Sequence, residues 1–284
     1  MHTLPGRVAV VTGAASGIGL AASFQLVLNG CHVALVDIDE IGLSKIVPQL
    51  SGRNARITSH VINVAERSSM EKLPEEIHRA HGNIHILVNS AGVSMTSSCD
   101  DATIEDFQWV MNTNFWSVVF GCKFFLPFFR RVDEAHIVNL SSLYGFVGIP
   151  TQTAYCSSKF AIRGFTESLR AELYGTQIGV TCVYPGSVKT NLIRNSKVLD
   201  PLNPNRKKNL IRYFENAMNP NEVACKIVFG IKNNSPRIVT SVEAHLADIF
   251  SRLSPSLTHE IISRIRKKKV DRFKNSLDSV ARKW

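Results

Sequence analysis

The chain has 284 residues, enough for one large domain with a buried core and a ligand crevice. Hydrophobic residues make up 44% and charged residues 20%, a balance that argues against a disordered chain and against a membrane-spanning one. The net charge of +10 is uneven, because from Ser251 onward ten Lys/Arg face three Asp/Glu, which leaves about +3 for the first 250 residues; this basic tail, on a nearly balanced domain, does not suit a nucleic-acid binder.

Met1 to Gly6 lead straight into the apolar run Val8–Val11, with none of the pattern of a secretory signal. Short apolar runs then alternate with amphipathic stretches. Strands are expected at Arg7–Thr12, Cys31–Val36, Arg56–Ile62, Ile84–Asn89, Ala135–Leu140, Ile178–Tyr184 and Arg237–Thr240. Helices are expected at Gly17–Asn29, Glu40–Leu50, Ser68–His81, Thr103–Phe129, Thr153–Tyr174 and Asn221–Lys232. Thr103 offers an N-cap hydroxyl and Asp106 a carboxylate near the positive helix end. The apolar Phe115–Phe129 is broken by Ser117, Gly121, Lys123 and Pro127, so it reads as a buried helix and not as a span. Alternation of this kind builds an α/β domain whose parallel sheet is covered on both faces. We place that domain at residues 1–240, with 186–220 as a substrate loop or lid, and a basic helical extension at 241–284. The six cysteines are scattered without metal-ligand spacing and read as reduced thiols of a cytoplasmic protein, and the nine histidines form no zinc pattern.

Directly after the first strand comes Thr12-Gly13-Ala14-Ala15-Ser16-Gly17-Ile18-Gly19, followed by a helix. Glycines there let the chain turn sharply and approach a pyrophosphate, whose charge meets the free N–H groups of the helix. The second strand ends at Asp37, 18 residues after Gly19, where a carboxylate can accept from both adenosine ribose hydroxyls. It would repel a 2′-phosphate by roughly 4 kcal/mol at about 4 Å with an effective dielectric near 20. No Arg or Lys occupies Ala14, Ala15 or Ile38. The expected cofactor is NAD.

Tyr155-Cys-Ser-Ser-Lys159 puts a phenol and an ammonium at i, i+4 on one helix face. A free tyrosine is a poor base at neutrality; a nearby ammonium and an oxidised nicotinamide favour its phenolate. Ser142 lies thirteen residues upstream at the end of an expected strand, and Asn114 in the long helix before it.

With these residues in view, the sequence resembles the short-chain dehydrogenase/reductase family. The resemblance runs in register from about Arg7 to Thr190, and more weakly to about Ser254, through Thr12–Gly19, Asn89-Ser-Ala-Gly92, Asn114 with Leu126-Pro127, Ser141-Ser142, Tyr155-x-x-x-Lys159 and Pro185-Gly186-Ser-Val188-Lys-Thr190. It implies a doubly wound Rossmann-type sheet of about seven strands. It implies Tyr155 as general acid/base, Ser142 as the group that positions the substrate oxygen, and Lys159 as the residue that lowers the Tyr155 pKa and holds the nicotinamide ribose. Asn114 would fix a water linking Lys159 to solvent. Cofactor contacts are implied at Gly13, Ser16, Gly17, Ile18, Gly19, Asp37, Ile38, Asn63, Val64, Asn89, Ala91, Gly92, Tyr155, Lys159, Pro185, Gly186, Val188 and Thr190, and substrate contacts at Ser142, Tyr144 and Tyr155. Four positions depart from the family pattern: Asn63 stands for the Asp that meets adenine, Ser90 for the second Asn of N-N-A-G, His85 for an Asp and Ser117 for a Gly. They bear on local rigidity and not on catalysis, and His85 reads as a surface or sheet-edge residue.

Residues expected to face the substrate are Ser94, Leu143, Tyr144, Ile149, Leu192, Ile193, Leu199, Leu202, Tyr213 and Phe214, mostly uncharged, which favours a lipophilic alcohol or ketone of steroid, retinoid or fatty type. Ordinary core and lid packing is the competing account. In the tail, Phe273, Leu277, Val280 and Trp284 recur at helical spacing among Lys and Arg, which suits either peripheral contact with an anionic membrane or a solvated basic end. A homodimer or homotetramer through Thr103–Phe129 and Thr153–Tyr174 follows from the resemblance. Rival functions are an NADPH-dependent acyl-thioester reductase, which Asp37 opposes, and a non-catalytic NAD-binding protein on the same fold.

Overall fold

The computed structural model describes residues 1, 3–51, 54–200 and 204–264. Seven parallel strands form its main sheet: β1 (Val8–Thr12), β2 (His32–Asp37), β3 (Ile57–Val61), β4 (Ile86–Asn89), β6 (Ala135–Leu140), β7 (Ile178–Tyr184) and β9 (Arg237–Val239), in the order β3-β2-β1-β4-β6-β7-β9. The chain winds outward from β1 in both directions, so a crevice opens at the carboxyl ends of β1 and β4. Every residue of β1, β4 and β6 is buried, as a sheet covered on both faces requires. Ala9 and Val11 face a cluster with α1 (Gly17–Leu28), α2 (Glu40–Leu50) and α8 (Pro220–Lys232). Val8 and Val10 face the opposite cluster with α3 (Arg67–His81), α5 (Ser117–Phe129) and α6 (Thr153–Glu172). The fold is the α/β sheet with two covered faces expected from the alternation, and the doubly wound sheet of about seven strands that the resemblance implies.

The long helix expected at Thr103–Phe129 is in fact three pieces. α4 (Ile104–Met111) starts with the anticipated capping box, in which Thr103 Oγ1 accepts from the Asp106 N–H at 3.2 Å and Asp106 Oδ2 from the Thr103 N–H at 3.3 Å. A π-helical turn at Asn112–Trp116 then widens the helix before α5 continues it. The Ser117 hydroxyl spans this widened turn and donates to the Thr113 carbonyl at 2.6 Å.

His85 is neither at the surface nor at a sheet edge. It precedes the central strand β4, is 8% exposed, and its Nδ1 accepts the Val8 N–H at 3.1 Å. Burial holds its pKa down to about 4, so the ring is the neutral acceptor that the orphan N–H of the adjacent strand needs.

The 186–220 segment carries structure of its own. β8 (Lys197–Val198) pairs with β5 (Met95–Thr96), and α7 (Arg206–Glu215) follows. Lys197 Nζ lies 2.8 Å from Asp106 Oδ1, Arg206 Nη1 2.6 Å from Asp200 Oδ2, and Arg206 Nη2 donates to Thr151 Oγ1 at 2.8 Å. After β9, α9 (Val242–Leu253) begins at Ser241, whose hydroxyl accepts the Ala244 N–H, and helical turns continue over 255–264. Phe273, Leu277, Val280 and Trp284 of the basic tail lie outside the described residues. Among the described residues no helix is long and apolar enough to cross a membrane, and no His/Cys/Asp/Glu group could hold a metal.

Candidate active site

The crevice at the switch point is a cleft of about 500 Å³. Its floor is the glycine-rich turn between β1 and α1. Gly13 has φ +68°, and a Cβ there would lie 2.8 Å from the Ala91 backbone, so only glycine lets the β1 and β4 ends close together. A Cβ on Gly19 would strike the Gly13 carbonyl. Thr12 Oγ1 joins the two strand ends by accepting from the Ser90 N–H at 3.1 Å and the Ala91 N–H at 3.2 Å. Ser16, the N-cap of α1, is extended and makes no side-chain cap hydrogen bond, and the first turn of α1 carries no acid. Its N–H groups therefore present uncompensated positive potential to the cleft, a seat for an anion.

Asp37 closes this end of the cleft. Its Oδ2 accepts the Ala15 N–H at 2.9 Å and its Oδ1 the Asp39 N–H at 3.0 Å, which fixes the carboxylate against the turn. Ile38, 67% exposed, flanks it, with Asn63 and Val64 opposite. Asn63 Oδ1 already accepts the Ala65 N–H at 3.1 Å, so one lone pair of that oxygen is left for a ligand.

At the other end stand four buried residues from three elements. Asn114 reaches inward from the π turn: its Oδ1 accepts the Val93 N–H at 2.7 Å, and its Nδ2 donates to Val93 O and to Ser158 Oγ, both at 3.0 Å. Ser142 ends the β6 segment and caps the 3-10 turn Leu143–Gly145, its Oγ accepting the Tyr144 N–H at 3.2 Å. Tyr155 and Lys159 share a face of α6, with Lys159 Nζ 5.5 Å from the Tyr155 ring centroid. Lys159 Nζ donates to the Leu140 carbonyl at 2.9 Å, and the Lys159 carbonyl accepts from Ser141 Oγ at 2.8 Å. Tyr144 meets the Tyr155 ring edge-on at 6.0 Å. A Cβ on Gly92 would lie 3.2 Å from Asn114 Oδ1 and 3.8 Å from Lys159 Nζ, so glycine keeps the space between them open.

Burial sets the electrostatics of this end. It pushes the Tyr155 phenol well above its ordinary value, opposed by a hydrogen bond with Ser142. It brings the Lys159 ammonium down from 10.5 to about 8. In the protein by itself desolvation is the largest influence on the Tyr155 phenol and favours its neutral form. A protonated phenol beside a hydroxyl can deliver a proton to a carbonyl oxygen.

Of the anticipated cofactor residues, Gly13, Ser16, Gly17, Ile18, Asp37, Ile38, Asn63, Val64, Ala91, Gly92, Tyr155, Lys159, Pro185, Gly186, Val188 and Thr190 line the cleft. Gly19 supports the turn from behind. Asn89 is turned toward the helices instead: its Nδ2 donates to Asn139 Oδ1 at 2.8 Å, and Gly121 of α5 packs against its side chain. Ser94, Ser142, Leu143, Tyr144, Leu192, Ile193 and Phe214 line the substrate side. Ile149 packs instead with Phe146 and Tyr184, Leu199 and Tyr213 are exposed, and Leu202 lies outside the described residues. Trp109, Thr113, Gln152, Asn191, Asn195 and Leu210 line the cleft without having been anticipated. Gln152 stands three residues before Tyr155, a helical spacing that was the signal available for it, whereas Trp109, five before Asn114, is brought round by the π turn.

A sheet of this topology, with a glycine-cradled anion seat at one end and a buried Ser–Tyr–Lys set at the other, defines a class of dinucleotide-dependent oxidoreductases. Residues 7–198 match the sequence profile of the short chain dehydrogenase family, and the chain belongs to that family. It is 35% identical over 268 residues to SadH of Mycobacterium tuberculosis, covering 93% of this chain and 96% of that one. It is 29% identical over 270 residues to estradiol 17-beta-dehydrogenase 11 of Macaca fascicularis, covering 92% and 84%. A short chain dehydrogenase/reductase from Burkholderia phymatum, solved in complex with NAD, superimposes with a TM-score of 0.83 at 26% identity, covering 91% of this chain and 97% of that one.

Proposed function

We propose that this oxidoreductase interconverts a lipophilic secondary alcohol and its ketone with NAD(H), and that Tyr155 is the proton donor and acceptor. The observation that carries this reading is the placing of buried Tyr155, with Lys159 Nζ 5.5 Å from its ring and Ser142 lining the same cleft, at the far end from Asp37. NAD fits the residues present: the uncapped α1 terminus suits a diphosphate, Asp37 suits ribose hydroxyls, and a buried ammonium with a single carbonyl acceptor suits further oxygen ligands. The Burkholderia phymatum relative, crystallised with NAD, supports the same choice. The nicotinamide supplies or accepts the hydride when bound.

Within the chain, Ser142 fixes the substrate oxygen against the Tyr155 hydroxyl, and Tyr155 gives up its proton as that oxygen gains charge. Lys159, charged below about pH 8, holds ribose hydroxyls and stabilises the phenolate left behind. Asn114, with one free lone pair on Oδ1, holds a water through which the proton is replaced. In the oxidative direction the same phenolate takes the alcohol proton. Trp109, Leu143, Tyr144, Leu210 and Phe214 give the substrate end an apolar wall. Lys197, whose Nζ lies 4.7 Å from the Trp109 ring of that wall, is paired with Asp106, which supports an uncharged substrate.

The rings of Trp116, Phe120 and Phe124 stack along α5 at 5.9 and 6.1 Å, and Trp116 and Phe160 are 45% and 42% exposed. This aromatic stripe supports a homodimer or homotetramer buried along α5 and α6. Four of the six cysteines are buried free thiols, which supports a reducing, cytoplasmic setting.

A panel of secondary alcohols with NAD and of ketones with NADH, followed at the nicotinamide absorbance, tests the function. We expect turnover with apolar substrates, and a Tyr155→Phe variant that binds NADH unchanged while turnover falls by about 10³-fold. A wild-type protein that binds NADH yet turns over none of the panel would favour a binding module. A Tyr155→Phe variant that keeps its activity would remove Tyr155 from the mechanism.

A further inference from the structure

A second cavity, of about 670 Å³, lies behind the segment that walls the catalytic cleft. Its floor is α1, where Leu20, Phe24 and Leu28 recur at i, i+4 and i+8. They form a stripe about 12 Å long on one side of the helix. Ala22, Leu26 and Val27 turn the buried face of α1 to the core, and the stripe lies off that face, with Leu20 and Phe24 half-buried and Leu28 56% exposed. The roof is α7, a helix none of whose residues is buried. Its Ile211 and Phe214 line this cavity, while Leu210 and again Phe214 line the catalytic cleft, so the helix stands between two cavities. The start of α8, at Pro220 and Asn221, makes the end wall. The Lys189 N–H donates to the Met218 carbonyl at 2.9 Å and fixes the remaining wall beside it.

The charges of this cavity decide what it can hold. Arg194 and Glu215 at its rim are paired at 2.8 Å and neutralise each other. Lys189 lines the same cavity and is exposed, and its ammonium has neither an ion pair nor a hydrogen bond among the described residues. One cation is left over beside an apolar groove. We propose that the cavity binds a long-chain carboxylate, with the chain along Leu20, Phe24 and Leu28 beneath Ile211 and Phe214 and the head on Lys189. The volume is that of a small-molecule pocket, and apolar walls with one polar anchor are what fixes an amphiphile in such a site. A monoanion matches the single unpaired ammonium, whereas a phosphate monoester, with nearly two charges at neutral pH, leaves part of its charge unmatched. Leu20, Phe24, Leu28, Lys189 and Ile211 do not line the cleft that holds Tyr155, so this is a second site and not an arm of the first. Thr190, Ile193 and Phe214 line both, and a bound chain would pack against the back of the cleft wall. Binding here is independent of the substrate taken at Tyr155.

Isothermal titration of the full chain with dodecanoate, without cofactor or substrate, tests the site, so that its failure and failure of the oxidoreductase reading are separate results. We expect saturable binding, and binding of dodecanol that is about tenfold weaker because it forgoes the charge-assisted hydrogen bond. Lys189→Gln removes the charge of an exposed side chain and should weaken dodecanoate by about tenfold while leaving dodecanol unchanged. Leu28→Glu sets a carboxylate on the apolar stripe and should weaken both ligands by about tenfold or more. Thermal melting checks that this variant is folded, and Leu28→Gln replaces it if it is not. Failure of the wild type to bind dodecanoate overturns the proposal. So does undiminished binding by Lys189→Gln or by the Leu28 variant. Competitive displacement of dodecanoate by NADH overturns it as well, since that would put the carboxylate in the cofactor cleft.

Discussion

Lys159 is a buried cation whose ammonium donates to the Leu140 carbonyl, and burial brings its pKa from 10.5 to about 8. That displacement corresponds to about 3 kcal/mol of stability withheld from the protein at neutral pH. The sign follows from proton counting. Between pH 8 and 10.5 the folded chain has released the Lys159 proton while the unfolded chain still holds it, so this residue makes stability rise with pH through that window and impose its full penalty below it. Lys159→Met keeps most of the stem volume and removes the charge. It also leaves the Leu140 carbonyl without that donor, which costs about 1 kcal/mol at every pH. The ligand-free variant should therefore be about 2 kcal/mol more stable than wild type at pH 7 and about 1 kcal/mol less stable near pH 10.5, while losing turnover. Urea unfolding followed by circular dichroism at stepped pH measures the difference; buried thiols and tyrosines that titrate in the same window are common to both proteins and cancel. A wild-type-minus-variant difference that stays flat from pH 7 to 10.5 would refute the reasoning, since no constant offset can produce the slope.

Two further outcomes follow from buried or placed charge. Asp37→Asn removes the carboxylate that, on the proposed reading, would face an adenosine 2′-phosphate but keeps an amide oxygen for the Ala15 N–H, so the NADP-to-NAD ratio of kcat/KM should rise by about two to three powers of ten; an unchanged ratio would mean that selectivity lies elsewhere. Burial holds His81 and His85 down to about 4 and His136, which is 1% exposed, to about 3. Because the unfolded chain takes up these protons below about pH 6.5 and the folded chain does not, stability should fall with pH from 6.5 toward 3, His136 alone contributing about 1 kcal/mol per pH unit. A urea midpoint that holds constant from pH 7 down to pH 5 would contradict this.

Much of the fold was legible because its signals are local. Apolar runs of strand length alternating with amphipathic helices already require a parallel sheet with two covered faces, and turn glycines and the Thr103–Asp106 capping box are written in neighbouring residues. Other features were not local. The π turn at Asn112–Trp116 forms where Asn114 can bond to Val93, a residue 21 positions away, and nothing in helical periodicity marks that bend. His85 looked peripheral because a histidine in a strand pattern suggests an edge; its role depends on the Val8 N–H in the neighbouring strand. Asn89 was implied as a cofactor contact by the resemblance, and its side chain is bonded to Asn139 of the neighbouring strand.

The sequence by itself determined which residues are the candidates for the reacting groups. Tyr155 and Lys159 at i, i+4, the glycine turn and Asp37 follow from chain spacing, and chain spacing is conserved on folding whatever the tertiary outcome. Only the tertiary structure decided their electrical state. The depth at which Tyr155 and Lys159 are buried depends on how β6, the Leu143–Gly145 turn and the Asn114 turn close over α6. Desolvation at that depth raises the pKa of the phenol and lowers that of the ammonium to about 8.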